Sequence, residues 1–102
     1  MPAKRTLVMH PSDNVATAVE EIQAGDEVAI PLQGASLTLT SVEAIPFGFK
    51  IALQEIAAGA TIVKYGEPIG KAGQPIAKGA LVHVHNLEGT RARGDLARRA
   101  ER

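Results

Sequence analysis

Two of the three histidines in the chain stand in the segment GALVHVHNLEG, at positions 83 and 85. On a strand, residues two apart share a face, so this spacing predicts that His83 and His85 look the same way, together with Leu81. Neighbouring imidazoles on one face can converge on a metal ion, and an imidazole can also move protons near neutral pH. Two ligands are too few for a self-contained metal site. A third would have to come from His10, Asp13 or a partner chain. The plain alternative is a half-buried strand on which one imidazole packs and the other is solvated. No metal site is assigned to the chain on this spacing.

MHPSDNV carries the second group. Pro11 restricts the backbone after His10, and a helix is expected to begin at Ser12 or Asp13. Its first N–H groups would suit a carboxylate or a phosphate. Ordinary capping accounts for Ser12 and Asp13, whereas His10 adds nothing to a cap. PFGFK and VKYGEPIG carry the third group. Lys50 and Lys64 are each either a solvated lysine or one of two point charges that neutralise an anionic substrate beside a cleft. Gly48, Gly66 and Gly70 would let backbone approach closely. No Walker, dinucleotide-binding or nucleophile-elbow pattern is present.

The elements that must position these residues are short. A chain of 102 residues is one small domain. Its aromatics are Phe47, Phe49 and Tyr65 only, so the core must be built from Val, Ile, Leu and Ala. Eleven basic and 11 acidic residues cancel, which leaves no general attraction to nucleic acid or to a membrane surface. Cysteine is absent, which excludes disulfides and thiolate metal sites and suits a cytoplasmic protein. No apolar run is long enough for a membrane span.

One pattern recurs. Ile22 to Gly25, Ile56 to Gly59 and Ile76 to Gly79 share the form Ile-x-x-Gly, each followed by a β-rich run. The spacing is uneven, so this is no solenoid repeat. It reads as a corner in which the Ile anchors in the core and the Gly supplies the turn. In SDNVATAVEEI, Val15, Ala18, Val19 and Ile22 fall at i, i+3, i+4 and i+7, which predicts one short N-terminal helix ended by Gly25. TLVM, EVAIPL, ASLTLTSV, FKIAL, TIVKY and ALVHVH read as short strands. GEPIG and AGQPI read as turns. The expected class is mainly β, a compact barrel-like or clipped sheet over residues 1–87. Residues 88–102 form a polar tail, read as a frayed helix or a partner-docking arm.

Taken together, HPSDNVATAVEEIQAGDEV, the long run from IPFGFK to HVHNL, and TRARGDL resemble the SAF-type domain of altronate and galactarate dehydratases. The small subunit of sulfolactate sulfo-lyase is similar. The match runs from about His10 to Asp95. The resemblance implies a β-clip fold and membership of a lyase that eliminates water or sulfite from a sugar acid or 2-hydroxy acid. It implies that a large subunit or domain completes the site and holds a divalent metal, typically iron, with no cofactor in this chain. It implies substrate-side roles for His10, Asp13, Asn14, Lys50, Lys64, Tyr65 and Asn86, and an acid–base or orienting role for His83 and His85. The expected ligand is an anionic small molecule, and homo-oligomerisation is left open. Family members often read Gly-His-Lys where this chain has Gly48-Phe49-Lys50, and Phe49 can neither transfer a proton nor ligate a metal. The polar ending LARRAER favours a separate small subunit over an excised domain. The alternative is a non-catalytic β-clip module that binds a carbohydrate or acid, or serves in assembly.

Overall fold

The computed structural model describes residues 3–32 and 35–89. These residues form nine strands and no helix: β1 (Lys4–Leu7), β2 (Val15–Ala18), β3 (Glu27–Leu32), β4 (Ala35–Thr40), β5 (Lys50–Ala52), β6 (Thr61–Lys64), β7 (Glu67–Ala72), β8 (Leu81–Val82) and β9 (Leu87–Gly89). One sheet has the order β4-β3-β1-β2-β5-β8 and the other β6-β7-β9. Only β1 and β3 pair in parallel; every other pairing is antiparallel. The arm expected over 88–102 lies outside the described residues from 90 onward.

The expected N-terminal helix is instead β2, and its burial explains the difference. Val15 packs into one core cluster with Ala52, Ile62, Ala72 and Val82. Ala16 and Ala18 pack into the other, with Ile22, Val28, Ile45 and Ile51. A strand buried on both faces is apolar at consecutive positions, so its hydrophobic residues can mimic helical spacing by chance. Flanked by β1 and β5, β2 finds ladder partners on both sides, and tertiary pairing overrides any local helical preference.

The corners number four among the described residues, because Ile45-Pro-Phe-Gly48 joins the three evident in the sequence. They bridge in pairs. Ile22 and Ile45 exchange backbone hydrogen bonds at 3.0 and 2.8 Å, and Ile56 and Ile76 exchange theirs at 2.8 Å each. All four isoleucines are buried. Each corner glycine has φ between 84° and 90°. Its N–H donates to a carbonyl four residues before the partner isoleucine: Gly25 to Ser41, Gly48 to Ala18, Gly59 to Ala72 and Gly79 to Ala52. The two pairs are therefore the same construction built twice, with β3–β4 inside one and β6–β7 inside the other. The uneven spacing along the chain reflects this alternation of corners and hairpins.

Two further expectations change. In GEPIG only Gly66 belongs to a turn, and Glu67 to Gly70 lie in β7. Pro68 sits opposite Val63 just past a register shift in β6, where a missing N–H is tolerated, and Gly70 is a strand glycine whose Cβ would strike the Glu88 backbone in β9. The His-x-His segment is not a continuous strand either. β8 stops at Val82, and residues 83–86 form a turn closed by the Asn86 and Leu87 N–H groups on the His83 carbonyl, at 2.9 and 2.8 Å.

Gly79 and Gly59 share the left-handed backbone but differ in surroundings. A Cβ on Gly59 meets nothing within 4 Å, whereas one on Gly79 collides with the Thr40 carbonyl oxygen. Gly59→Ala should cost about 1 to 2 kcal/mol, the left-handed penalty alone. Gly79→Ala should cost clearly more, because backbone must shift as well. Urea unfolding of the two variants checks the order, and equal costs would contradict the corner geometry.

Candidate functional site

The site grows out of one face of β2 and β5. Val15 pairs with Ala52, and both feed the first core cluster. Two residues along, on the same face, Thr17 pairs with Lys50, which in turn pairs with Val82 of β8. Where the core ends, this face therefore turns polar. Lys50 is half-buried there. Burial pushes its pKa down from the ordinary 10.5, and the nearby charge of Lys64 pushes it further the same way. Lys64 ends β6, and its Nζ lies 4.8 Å from the centre of the Tyr65 ring. The Tyr65 hydroxyl reaches back to Thr17 Oγ1 at 3.2 Å. The ion pairs among the described residues, Lys4–Asp26 at 3.7 Å and Arg5–Glu20 at 3.3 Å, involve neither Lys50 nor Lys64.

Residues 10 to 14 fasten the β6–β7 hairpin over this face. The buried Asp13 carboxylate accepts the Met9 N–H at 3.3 Å and the Gly66 N–H at 2.8 Å. The Asn14 amide accepts from Val63 N–H at 2.8 Å and donates to the Thr61 carbonyl at 2.9 Å. With no helix to follow, Ser12 and Asp13 cap nothing, and no helix N-terminus is there to meet an anion. His10 Nδ1 accepts the Ser12 N–H at 3.1 Å and meets the Ser12 hydroxyl at 2.8 Å. The ring lies so close to Gly66 that a Cβ there would stand 3.0 Å from it.

The histidine pair is split. The half-buried His83 ring lies 4.4 Å from the Phe49 ring, centre to centre, at 46°. Phe49 packs against the second core cluster, whereas Lys50 lies on the face of Val15 and Val82 in the first, so this ring pair sits on the other face of the sheet from Lys50. His85 is exposed in the turn. Asn86 is buried: its amide accepts from the His83 N–H and donates to the Leu81 carbonyl, both at 2.9 Å. It takes up backbone groups that a longer β8 would have paired, and so ends the strand. Among the described residues, no group of three His, Cys, Asp or Glu side chains stands together to hold a metal ion.

The structure thus gathers Thr17, Lys50, Lys64 and Tyr65, with His10, Asp13 and Asn14 holding the hairpin; His83 lies apart from them, beside Phe49 on the other face of the sheet. Thr17 is missing from the sequence-derived set. Read as a strand, VATA places Thr17 on the face of Val15; read as a helix, it hides it.

The pattern that defines the altronate/galactarate dehydratase SAF domain matches residues 4–90. The chain belongs to this family. Altronate dehydratase of Escherichia coli is 44% identical over 80 residues, 78% of this chain but 15% of that protein. Altronate dehydratase of Bacillus subtilis is 41% identical over 85 residues, 83% of this chain and 16% of the relative. The chain therefore spans only about a sixth of these dehydratases. The (2R)-sulfolactate sulfo-lyase subunit alpha of Chromohalobacter salexigens is 34% identical over 86 residues, which are 80% of this chain and 92% of that subunit. Among the described residues of this SAF domain, no helix is long and apolar enough to cross a membrane.

The depressed pKa of Lys50 has a consequence for stability. Between that value and 10.5 the unfolded chain binds more protons than the folded one, so stability rises with pH through this window. Below the window the penalty is fully present. Urea midpoints followed from neutral pH up to the ordinary lysine range should climb more in the unaltered domain than in Lys50→Met. Parallel curves would contradict the assignment.

Proposed function

We propose that this SAF domain supplies the anion-binding side of a lyase site that a large subunit or domain completes. The observation that carries the reading is the Lys50–Lys64 pair. Two ammonium groups near enough for one to depress the pKa of the other, and outside the ion pairs of the described residues, repel each other until an anion lies between them. The fitting ligand is a 2-hydroxy acid with a further anionic or hydroxyl group. Removing the proton beside its carboxylate leaves charge on the carboxylate oxygens. Fixed cations stabilise that charge, and loss of water or sulfite follows. Lys50 and Lys64 hold the anionic groups of the substrate, and by resemblance His83 or His85 orients the substrate or exchanges a proton with it. The divalent metal, iron by resemblance, belongs to the large partner, where it would act as a Lewis acid. The likeness to a separate alpha subunit supports an enzyme of two chains, and the absence of cysteine suits a cytoplasmic one. Homo-oligomers of that assembly fit the same reading.

A non-catalytic binding or assembly module is the second reading. It draws on the Asp13, Asn14 and Asn86 side chains, all engaged with the domain's own backbone. The assembled complex from the native cell, assayed for loss of water or sulfite from 2-hydroxy acids, separates the two. Lys50→Met and Lys64→Met should each lower kcat/KM about tenfold to a hundredfold, the worth of one charged hydrogen bond. Full activity in both, and in His83→Ala and His85→Ala, would overturn the lyase reading in favour of the module.

A further inference from the structure

The β6–β7 connection is the one place in the described residues where a side-chain-bearing residue has positive φ. Lys64 pairs with Glu67, so the loop is Tyr65-Gly66, with φ of 56° and 79°. Both residues left-handed is the turn that suits a two-residue hairpin, and its first position normally takes Asn, Asp or Gly. A bulky aromatic there is costly and persists only where the surroundings hold it. Here they do. The Gly66 N–H is tied to Asp13, the His10 ring packs on Gly66, and the Tyr65 hydroxyl meets Thr17 Oγ1. No hydrophobic core needs the ring: Tyr65 is 41% exposed. What the ring does support is the Lys64 ammonium on its face, and what Thr17 adjoins in register is Lys50.

We propose that Tyr65 and Thr17 are positioning residues: their hydroxyl contact, spanning from β2 to the hairpin tip, sets the separation of the Lys50 and Lys64 ammonium groups and so selects dianions over monoanions. This deepens the anion-site reading above and rests on it for the ligand class. The spacing itself can be tested without any ligand. The strain at Tyr65 is the cost of having an aromatic hydroxyl where an Asn would sit more easily. Thr17 is its anchor and acts on the lysines only through Tyr65.

The experiment uses the full chain in four variants: Thr17→Val, Thr17→Ser, Tyr65→Phe and Tyr65→Asn. The titration of Lys50 is followed by NMR of its side-chain Cε, and the charged group acting on it is Lys64. Its midpoint should move up toward the ordinary lysine value in Tyr65→Asn, move partway in Thr17→Val and Tyr65→Phe, and stay in Thr17→Ser. Malate, a dianion, should bind about fivefold more weakly to Thr17→Val and Tyr65→Phe, with lactate binding unchanged. The urea midpoint of Tyr65→Asn should be no lower than that of the unaltered chain, since relief of strain offsets the lost contacts. An unmoved Lys50 midpoint in all variants overturns the positioning role. So does a fall in urea midpoint that parallels the loss of malate binding, which marks Tyr65 as scaffold only. If the midpoint moves as expected but the unaltered chain binds malate no better than lactate, the positioning stands and the anion-site reading fails.

Discussion

Ile22 and Ile45 exchange backbone hydrogen bonds, as do Ile56 and Ile76, and each corner glycine reaches across to the stretch that leads into its partner corner. The described strands are six residues long or shorter, and β5 and β8 have only three and two. Strands so short cannot hold a register by ladder length alone. The bridged corners do it for them, by placing a buried isoleucine and a left-handed glycine at each end of the β3–β4 and β6–β7 hairpins. A corner without its partner would leave backbone N–H and C=O groups unsatisfied beside buried side chains. The pairs therefore form together or not at all, and β2, β5 and β8 inherit their positions from them.

The sequence showed those corners in part. Ile-x-x-Gly is a local signal, because the isoleucine and the glycine each act within four residues. The fourth instance, Ile45 to Gly48, has the same form with Pro46 and Phe47 between its anchor and its glycine. Long-range pairing was less visible. β2 carries apolar residues on both faces, and only its neighbours β1 and β5 make it a strand. Gly70 looks like a turn residue until β9 is laid against it. His83 and His85 have the spacing of one strand face, and the buried amide of Asn86 breaks that strand between them and Val82. In each case the deciding partner is far along the chain or is a side chain serving backbone.

The candidate site divides the same way. Lys50, Lys64 and Tyr65 stand out by type, and the structure brings them together through β5, β6 and the β6–β7 turn. Asp13 and Asn14 stand out as polar residues beside a histidine, yet their side chains act as cross-ties from the β1–β2 connection to the hairpin. Thr17 has no motif of its own. Its place follows from the register of β2 on β5, information that exists only once the sheet is assembled.

The twofold construction allows each site residue to be compared with its counterpart in the other half. Lys50 lies two residues past corner glycine Gly48, and Leu81 two past Gly79. Lys64 lies five past Gly59, and Ile30 five past Gly25. Leu81 and Ile30 pack into the second core cluster. Each copy of the backbone design thus carries one lysine of the site and one apolar counterpart of the other copy's lysine. The frame carries shape without committing to chemistry, so each copy is free to diverge without unpicking the bridges that hold it. A domain of this kind can exchange one bound molecule for another by changing one or two side chains in each copy, while the corner bridges keep the fold intact.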